Sequence, residues 1–122
     1  MDTRQVITAL GALAQENRLA VFRLLVQAGP EGLAAGVVAE RLGIPSSSLS
    51  FHLAQLTHAG LIRQRRVSRS LIYSADFDAM NGLVGYLTEN CCQGSRADCA
   101  TAACGPAEDA EPARPVRARA RR

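Results

Sequence analysis

The chain has no lysine and no tryptophan, and only 4% of its residues are aromatic. Its core must therefore be aliphatic, drawn from a hydrophobic content of 48%. No apolar run approaches the roughly eighteen residues that a membrane-spanning helix needs, so no span is expected. Met1-Asp2-Thr3 opens acidic and polar positions soon interrupt residues 6–14. No signal peptide is expected, and the expected location is cytoplasmic, where thiols stay reduced. Cysteine is missing from the first ninety residues. Disulfide frameworks space their cysteines through a fold, so this absence argues against one.

What is present is unevenly placed. All fourteen basic residues are Arg, and Arg114, Arg117, Arg119, Arg121 and Arg122 crowd the last nine positions. Without residues 105–122 the chain keeps nine Arg against eight acids, so its body is nearly neutral despite a formal charge of +3. Yet Arg63, Arg65, Arg66 and Arg69 fall within seven residues with no acid among them. A basic strip on a neutral body points to a phosphate backbone rather than to general solubility. The four cysteines are as concentrated: Cys91 and Cys92 are adjacent, and Cys99 and Cys104 follow. Adjacent cysteines close a strained disulfide with each other, whereas grouped soft thiolates suit a thiophilic metal or metalloid.

A length of 122 residues supports one domain with a tail. Val6, Ile7, Leu10 and Leu13 recur at helical spacing over residues 4–14. Leu19, Phe22, Leu25 and Val26 form the stripe of a second helix, ended by Gly29-Pro30. Leu33–Leu42 reads as a short third helix stopped by Gly43. Ile44-Pro45-Ser46 makes a tight turn with Ser46 as the cap, and a fourth helix runs to about His58. Leu61–Arg66 and Ser70–Ser74 are short extended runs around Val67-Ser68-Arg69, which predicts a β-hairpin. After Asp76, a suitable N-cap, helical period returns in Met80, Leu83, Val84, Leu87 and Cys91. The expected fold is mainly α (α+β), a winged helix-turn-helix of order ααααββα. It should cover residues 1–92, followed by a cysteine segment at 93–104 and a disordered Arg/Pro/Ala-rich tail at 105–122.

On the fourth helix Leu49, Leu53 and Leu56 form the stripe expected to be buried. The opposite face gathers Ser47, Phe51, Ala54, Gln55 and His58, flanked by Ser46, Ser48 and Ser50. Small hydroxyls on a first helical turn permit close approach and hydrogen bonds to phosphates or base edges. Phe51 is unusual on the outer face of a soluble helix. His52 stands at the border of the apolar stripe, either a base reader or a half-buried histidine. Alternation along a strand puts Arg63 and Arg65 on one face, with Arg66 and Arg69 near the hairpin tip. Guanidiniums there meet phosphates or a minor groove. Double-stranded DNA is thus the expected partner of Ser46, Ser47, Ser48, Ser50, Phe51, His52, Gln55, Arg63, Arg65, Arg66 and Arg69.

The run Ile44-Pro45-Ser46-Ser47-Ser48-Leu49-Ser50-Phe51-His52-Leu53-Ala54-Gln55-Leu56, then Ala59-Gly60-Leu61-Ile62 and the Arg-rich turn to Tyr73, resembles the ArsR/SmtB family. The likeness covers about residues 4–92 and includes the Asn17-Arg18-Leu19 entry to the second helix. It implies a homodimeric winged-helix repressor that leaves operator DNA on binding a metal ion, with no enzymatic activity and no organic cofactor. Helices one and five should build the dimer interface through Leu10, Leu13, Met80, Leu83, Val84 and Leu87, where Gly82 and Gly85 allow close approach. Two departures stand out. The family usually places Gly where Ser68 stands, so the turn is expected to differ in backbone conformation. Many arsenical repressors also carry a Cys-x-Cys pair in the third helix, which here has no cysteine.

Cys91-Cys92-Gln93-Gly94 instead resembles a branch whose arsenic site is C-terminal. As(III), or Sb(III), binds three thiolates in a pyramid, which Cys91, Cys92 and either Cys99 or Cys104 would supply. Asn90 and Gly94 tolerate the left-handed geometry that folds a chain back toward such a site. Zinc sites prefer cysteine pairs two to four apart, a spacing only Cys99 and Cys104 approach. A Zn/Cd-responsive or methylarsenite-responsive repressor of the same fold remains an alternative, as do metal-buffering and thiol-redox roles. A thiol enzyme would set its nucleophile at a helix N-terminus. These cysteines stand at a helix C-terminal end, where the dipole disfavours thiolate.

Overall fold

Asp2 starts the first helix. Its carboxylate accepts the Gln5 amide at 2.8 Å while the Gln5 side chain accepts the Asp2 amide at 2.9 Å, a reciprocal capping box. That box opens α1 (Thr3–Leu13). The Gln15 side chain caps α2 (Glu16–Ala28), which ends at Gly29 with φ 84°. α3 (Ala35–Leu42) stops at Gly43 in the left-handed region, φ 66°, and α4 (Ser46–His58) follows within three residues. Strands β1 (Leu33–Ala34), β2 (Ile62–Val67) and β3 (Ser70–Ala75) make an antiparallel sheet of order β1-β3-β2. α5 (Phe77–Leu87) and a 3-10 turn at Cys91–Gly94 come last. This computed structural model describes residues 1–94, in two compact units, Met1–Asn81 and one that begins at Gly82. No helix among the described residues is long and apolar enough to cross a membrane.

The first unit is organised around α2, which packs on α1, α3, α4 and β3. Leu25, Val21 and Phe22 from α2 meet Val6 and Ala9 from α1, Val38 from α3, and Leu49, Leu53 and Leu56 from α4 in one largely aliphatic core. Full burial of side chains such as Leu25, Leu49 and Leu56 is worth roughly 1.5–3 kcal/mol each. The α4–β2 junction is equally fixed. Leu61 is fully buried, its amide bonds the Leu56 carbonyl at 3.1 Å, and its carbonyl accepts the Asp76 amide at 2.9 Å. The end of α4 is thereby tied to both the entry and the exit of the hairpin.

The winged helix-turn-helix forms as expected, with several local corrections. Leu33 and Ala34 are not the start of the third helix. They pair with Tyr73 and Ile72, so the order becomes ααβααββα. α1 buries Val6, Ala9 and Ala12, leaving Ile7 64% exposed and Leu10 outward. α2 buries Val21 in place of Leu19. Pro45, not Ser46, takes the cap position of α4, and no side chain caps that helix. The hairpin connection is only Ser68-Arg69, with Val67 opposite Ser70. Ser68 sits at φ 57°, the left-handed region a two-residue connection demands.

Candidate functional site

α4 divides cleanly by burial. Leu49, Leu53 and Leu56 face the core as expected, while Ser46, Ser47, Ser48, Ser50, Phe51, Ala54, Gln55 and His58 are all exposed. Because no side chain caps the helix, its first-turn amides keep their hydrogen-bonding capacity beside three serine hydroxyls. The helix carries no acid from Ser46 to His58, so nothing on it repels a polyanion. His52 is the exception among the expected readers. It is 9% exposed, its Nδ1 has no hydrogen-bond partner, and its ring meets that of Phe51 edge-on, with centroids 6.0 Å apart at 65°. A side chain so placed packs toward the inner side of the helix, unlike the exposed serines, Phe51 and Gln55.

The four wing arginines separate into two pairs. Arg63 Nε donates to Asp76 Oδ2 at 3.2 Å, and Arg65 Nη2 donates to the Glu31 carbonyl at 2.8 Å. Both bonds tie the hairpin to neighbouring segments. Arg66 and Arg69, toward the tip, make no hydrogen bond or ion pair among the described residues and are exposed. Between Arg63 and Arg65, Gln64 Nε2 donates to the Tyr73 hydroxyl of the partner strand at 2.9 Å. Two guanidiniums thus brace the wing and two are available at its tip.

Asp76 has two duties. Its Oδ1 accepts the Ala79 amide at 3.1 Å, capping α5 as its position in the sequence suggested, and its Oδ2 holds Arg63. Burial pushes the carboxyl up. The Ala79 amide, the hydrogen bond and charge of Arg63, and the Asp78 amide outweigh that and hold it below its ordinary 3.8. A depressed folded-state value means stability that is present above the unfolded value and lost as pH falls through the folded one. Asp76→Asn, which can still cap, should cost under about 1 kcal/mol near neutrality. It should also flatten the acid end of the stability curve below about pH 4. Urea titrations at two pH values check this, and an unchanged acid limb would remove the assignment.

The thiol segment is described for Cys91 and Cys92; Cys99 and Cys104 lie outside the described residues. α5 ends at Leu87, so the vicinal pair is not on that helix but on the 3-10 turn beyond it. Asn90 reverses the chain at φ 59°, as its residue type suggested, and Cys92 repeats the left-handed conformation at φ 55°. Cys91 is half-buried and disulfide-bonded, and Cys92 is exposed. Among the described residues no three His, Cys, Asp or Glu side chains gather as a metal cluster.

A helix-turn-helix domain family matches residues 13–65, from the end of α1 into β2. The HTH-type transcriptional regulator YgaV of Escherichia coli is 30% identical over 91 residues, covering 75% of this chain and 90% of YgaV. The nodulation protein NolR of Rhizobium meliloti is 34% identical over 80 residues, covering 66% of this chain and 63% of NolR's own length. An ArsR-like transcriptional regulator from Rhodococcus sp. RHA1 superposes with a TM-score of 0.62 at 25% identity, over 69% of this chain and 76% of that one. This chain belongs to the ArsR family. A further solved structure is the homodimeric winged helix-turn-helix domain of Mb0332 from Mycobacterium bovis, described as a possible ArsR-family regulator. It matches at TM-score 0.58 and 25% identity, over 75% of this chain and 85% of that domain.

In ArsR-family terms α3 and α4 are the helix-turn-helix pair and β2–β3 the wing; the family is one of transcriptional regulators and not of enzymes. The six residues assigned to a dimer interface are unevenly exposed. Leu10, Val84 and Leu87 are exposed, Leu13 and Met80 are half-buried, and Leu83 is buried. Sequence reading missed two features of this ArsR-family wing: the Glu31 carbonyl that seats Arg65, and Asp76 as the partner of Arg63. The first had no sequence signal, since a carbonyl belongs to every residue. The second had one. Arg63 stands opposite Ser74 in the ladder, two residues before Asp76, within reach of a long side chain.

Proposed function

We propose that this chain is an operator-binding repressor that works as a cytoplasmic homodimer and leaves DNA on capturing As(III) or Sb(III). The observation that carries the DNA half is the acid-free, serine-rich outer face of α4 together with the unpaired tip arginines Arg66 and Arg69. α4 enters a major groove and the wing holds phosphates. One winged domain reads one half-site, so a dimer is needed for a symmetric operator. That need agrees with the homodimeric state named for the Mb0332 domain and with the exposed Ile7 and Leu10 on α1 and Val84 and Leu87 on α5. Arg66→Ala and Arg69→Ala should each weaken binding to every duplex and lower the salt slope by about one. Anisotropy titrations across salt concentrations measure this; variants that keep both the affinity and the slope would take the wing off the DNA.

The effector half rests on Cys91 and Cys92, adjacent on a chain reversal, with Cys99 or Cys104 as the third thiolate. Operator affinity of the reduced protein, measured against arsenite, antimonite, methylarsenite, cadmium and zinc, tests it. One observation favours a second reading. Cys91 is disulfide-bonded, so release triggered by thiol oxidation is the rival. A mild thiol oxidant without metalloid, and arsenite with excess reductant, separate the two. Release in neither arm would leave a DNA-binding protein with another effector.

A further inference from the structure

We infer that Phe51 selects operators by the 5-methyl group of thymine, with Gln55 one turn on taking the edge of an adjacent adenine. The inference rests on the operator-binding reading and adds what the operator must contain. Phe51 is 58% exposed on the outer face of α4. A single exposed apolar side chain is ordinary by itself, but this one is placed and held. Its neighbours on that face, Ser47, Ser48, Ala54 and Gln55, are small or uncharged, so the ring stands clear of them. The neighbouring, buried His52 ring meets it edge-on with centroids 6.0 Å apart at 65°, giving the exposed ring one fixed partner on the helix.

The major groove offers one apolar group to such a ring, the C5-methyl of thymine. α4 also lacks the side chain that most often reads guanine, having no Arg or Lys from Ser46 to His58. Gln55 is the longest hydrogen-bonding side chain exposed on the face, and its amide matches the N6 and N7 of adenine. Base discrimination on this helix therefore tilts to A·T pairs, while Arg66 and Arg69 supply affinity without sequence.

The test uses the full-length reduced protein and duplexes enriched from a randomised pool. Each thymine of an enriched duplex is replaced in turn by deoxyuridine, which deletes the methyl and keeps every hydrogen bond. One position per half-site should lose roughly fourfold in affinity, the worth of one buried methyl, and both together roughly sixteenfold. Phe51→Ala should bind the thymine and uracil duplexes equally, whereas Phe51→Leu should keep part of the preference. A native protein indifferent to uracil at every position overturns the inference while leaving DNA binding intact. A Phe51→Ala variant that still prefers thymine overturns it as well. A pool that shows no enrichment at all overturns the operator-binding reading on which it stands.

Discussion

Gly32→Ala should lower the melting temperature by roughly 10–30 °C. Gly32 sits at φ 73°, where an alanine costs about 1–2 kcal/mol. Its new Cβ would also collide with the Tyr73 carbonyl oxygen and lie 2.9 Å from the Tyr73 carbonyl carbon and 3.0 Å from Ser74 Cβ. Most of that obstacle is backbone of the central strand, with no flexible side chain to yield, so relief requires β1 to part from β3. Overpacking of this kind adds about 1–3 kcal/mol. The sum is a large share of the roughly 5–15 kcal/mol that holds a domain together. Gly36→Ala is the control. Gly36 lies in α3 with no heavy atom within 4 Å of an added Cβ, and the change should stabilise by about 0.5–1 kcal/mol. A Gly32→Ala protein that melts within a degree or two of the native one would show that β1 is not pinned against Tyr73. The Glu31 carbonyl that seats Arg65 is next in the chain, so the same substitution should loosen the wing.

That position also marks where sequence reading ended. Period and punctuation located the five helices and the hairpin, because Gly29, Gly43 and Asp76 act through their own backbone or the next turn. β1 left no such trace. Two residues cannot show a period, and Leu33–Ala34 become a strand only because Tyr73 and Ile72, some forty positions on, lie alongside. Spacing alone did not say which side of α1 faces inward: Val6, Ala9 and Ala12 are buried while Ile7 and Leu10 are exposed, and an outward Leu10 is compatible with the interface assigned to it. On α4 the serines, Phe51 and Gln55 were legible from projection alone, while His52 at the stripe's border needed the fold to decide its side. The wing arginines were legible as a group but not as bracing and available pairs, since that division depends on Asp76 and Glu31.

The second large effect is expected at the thiols. Cys91→Ser with Cys92→Ser should leave operator affinity within about twofold of the native value and abolish its response to arsenite. Both side chains lie beyond α5 on a turn, and neither is among the core residues of the first unit. On the proposed reading the change removes two of the three thiolate donors, and serine is a poor ligand for a soft ion. Native protein should lose about 5–150-fold in operator affinity on saturation, the range of a coupling of about 1–3 kcal/mol. The effect requires that the metalloid bind the DNA-incompetent state more tightly. Linkage then sets a second, independent expectation. Operator DNA must weaken arsenite binding by the same factor by which arsenite weakens operator binding. Titrating arsenite into free protein and into the complex, followed by thiolate absorbance, measures that factor without any reference to gene expression. Cys99→Ser should show the same loss or part of it, and Cys104→Ser should be nearly silent because three thiolates suffice. On the proposed reading, one route for such coupling runs along the chain itself. Asp76, which caps α5, also holds Arg63 of the wing through its carboxylate, and the thiol turn follows that helix by four residues. Arsenite that still releases DNA from the double serine variant would place the sensor elsewhere.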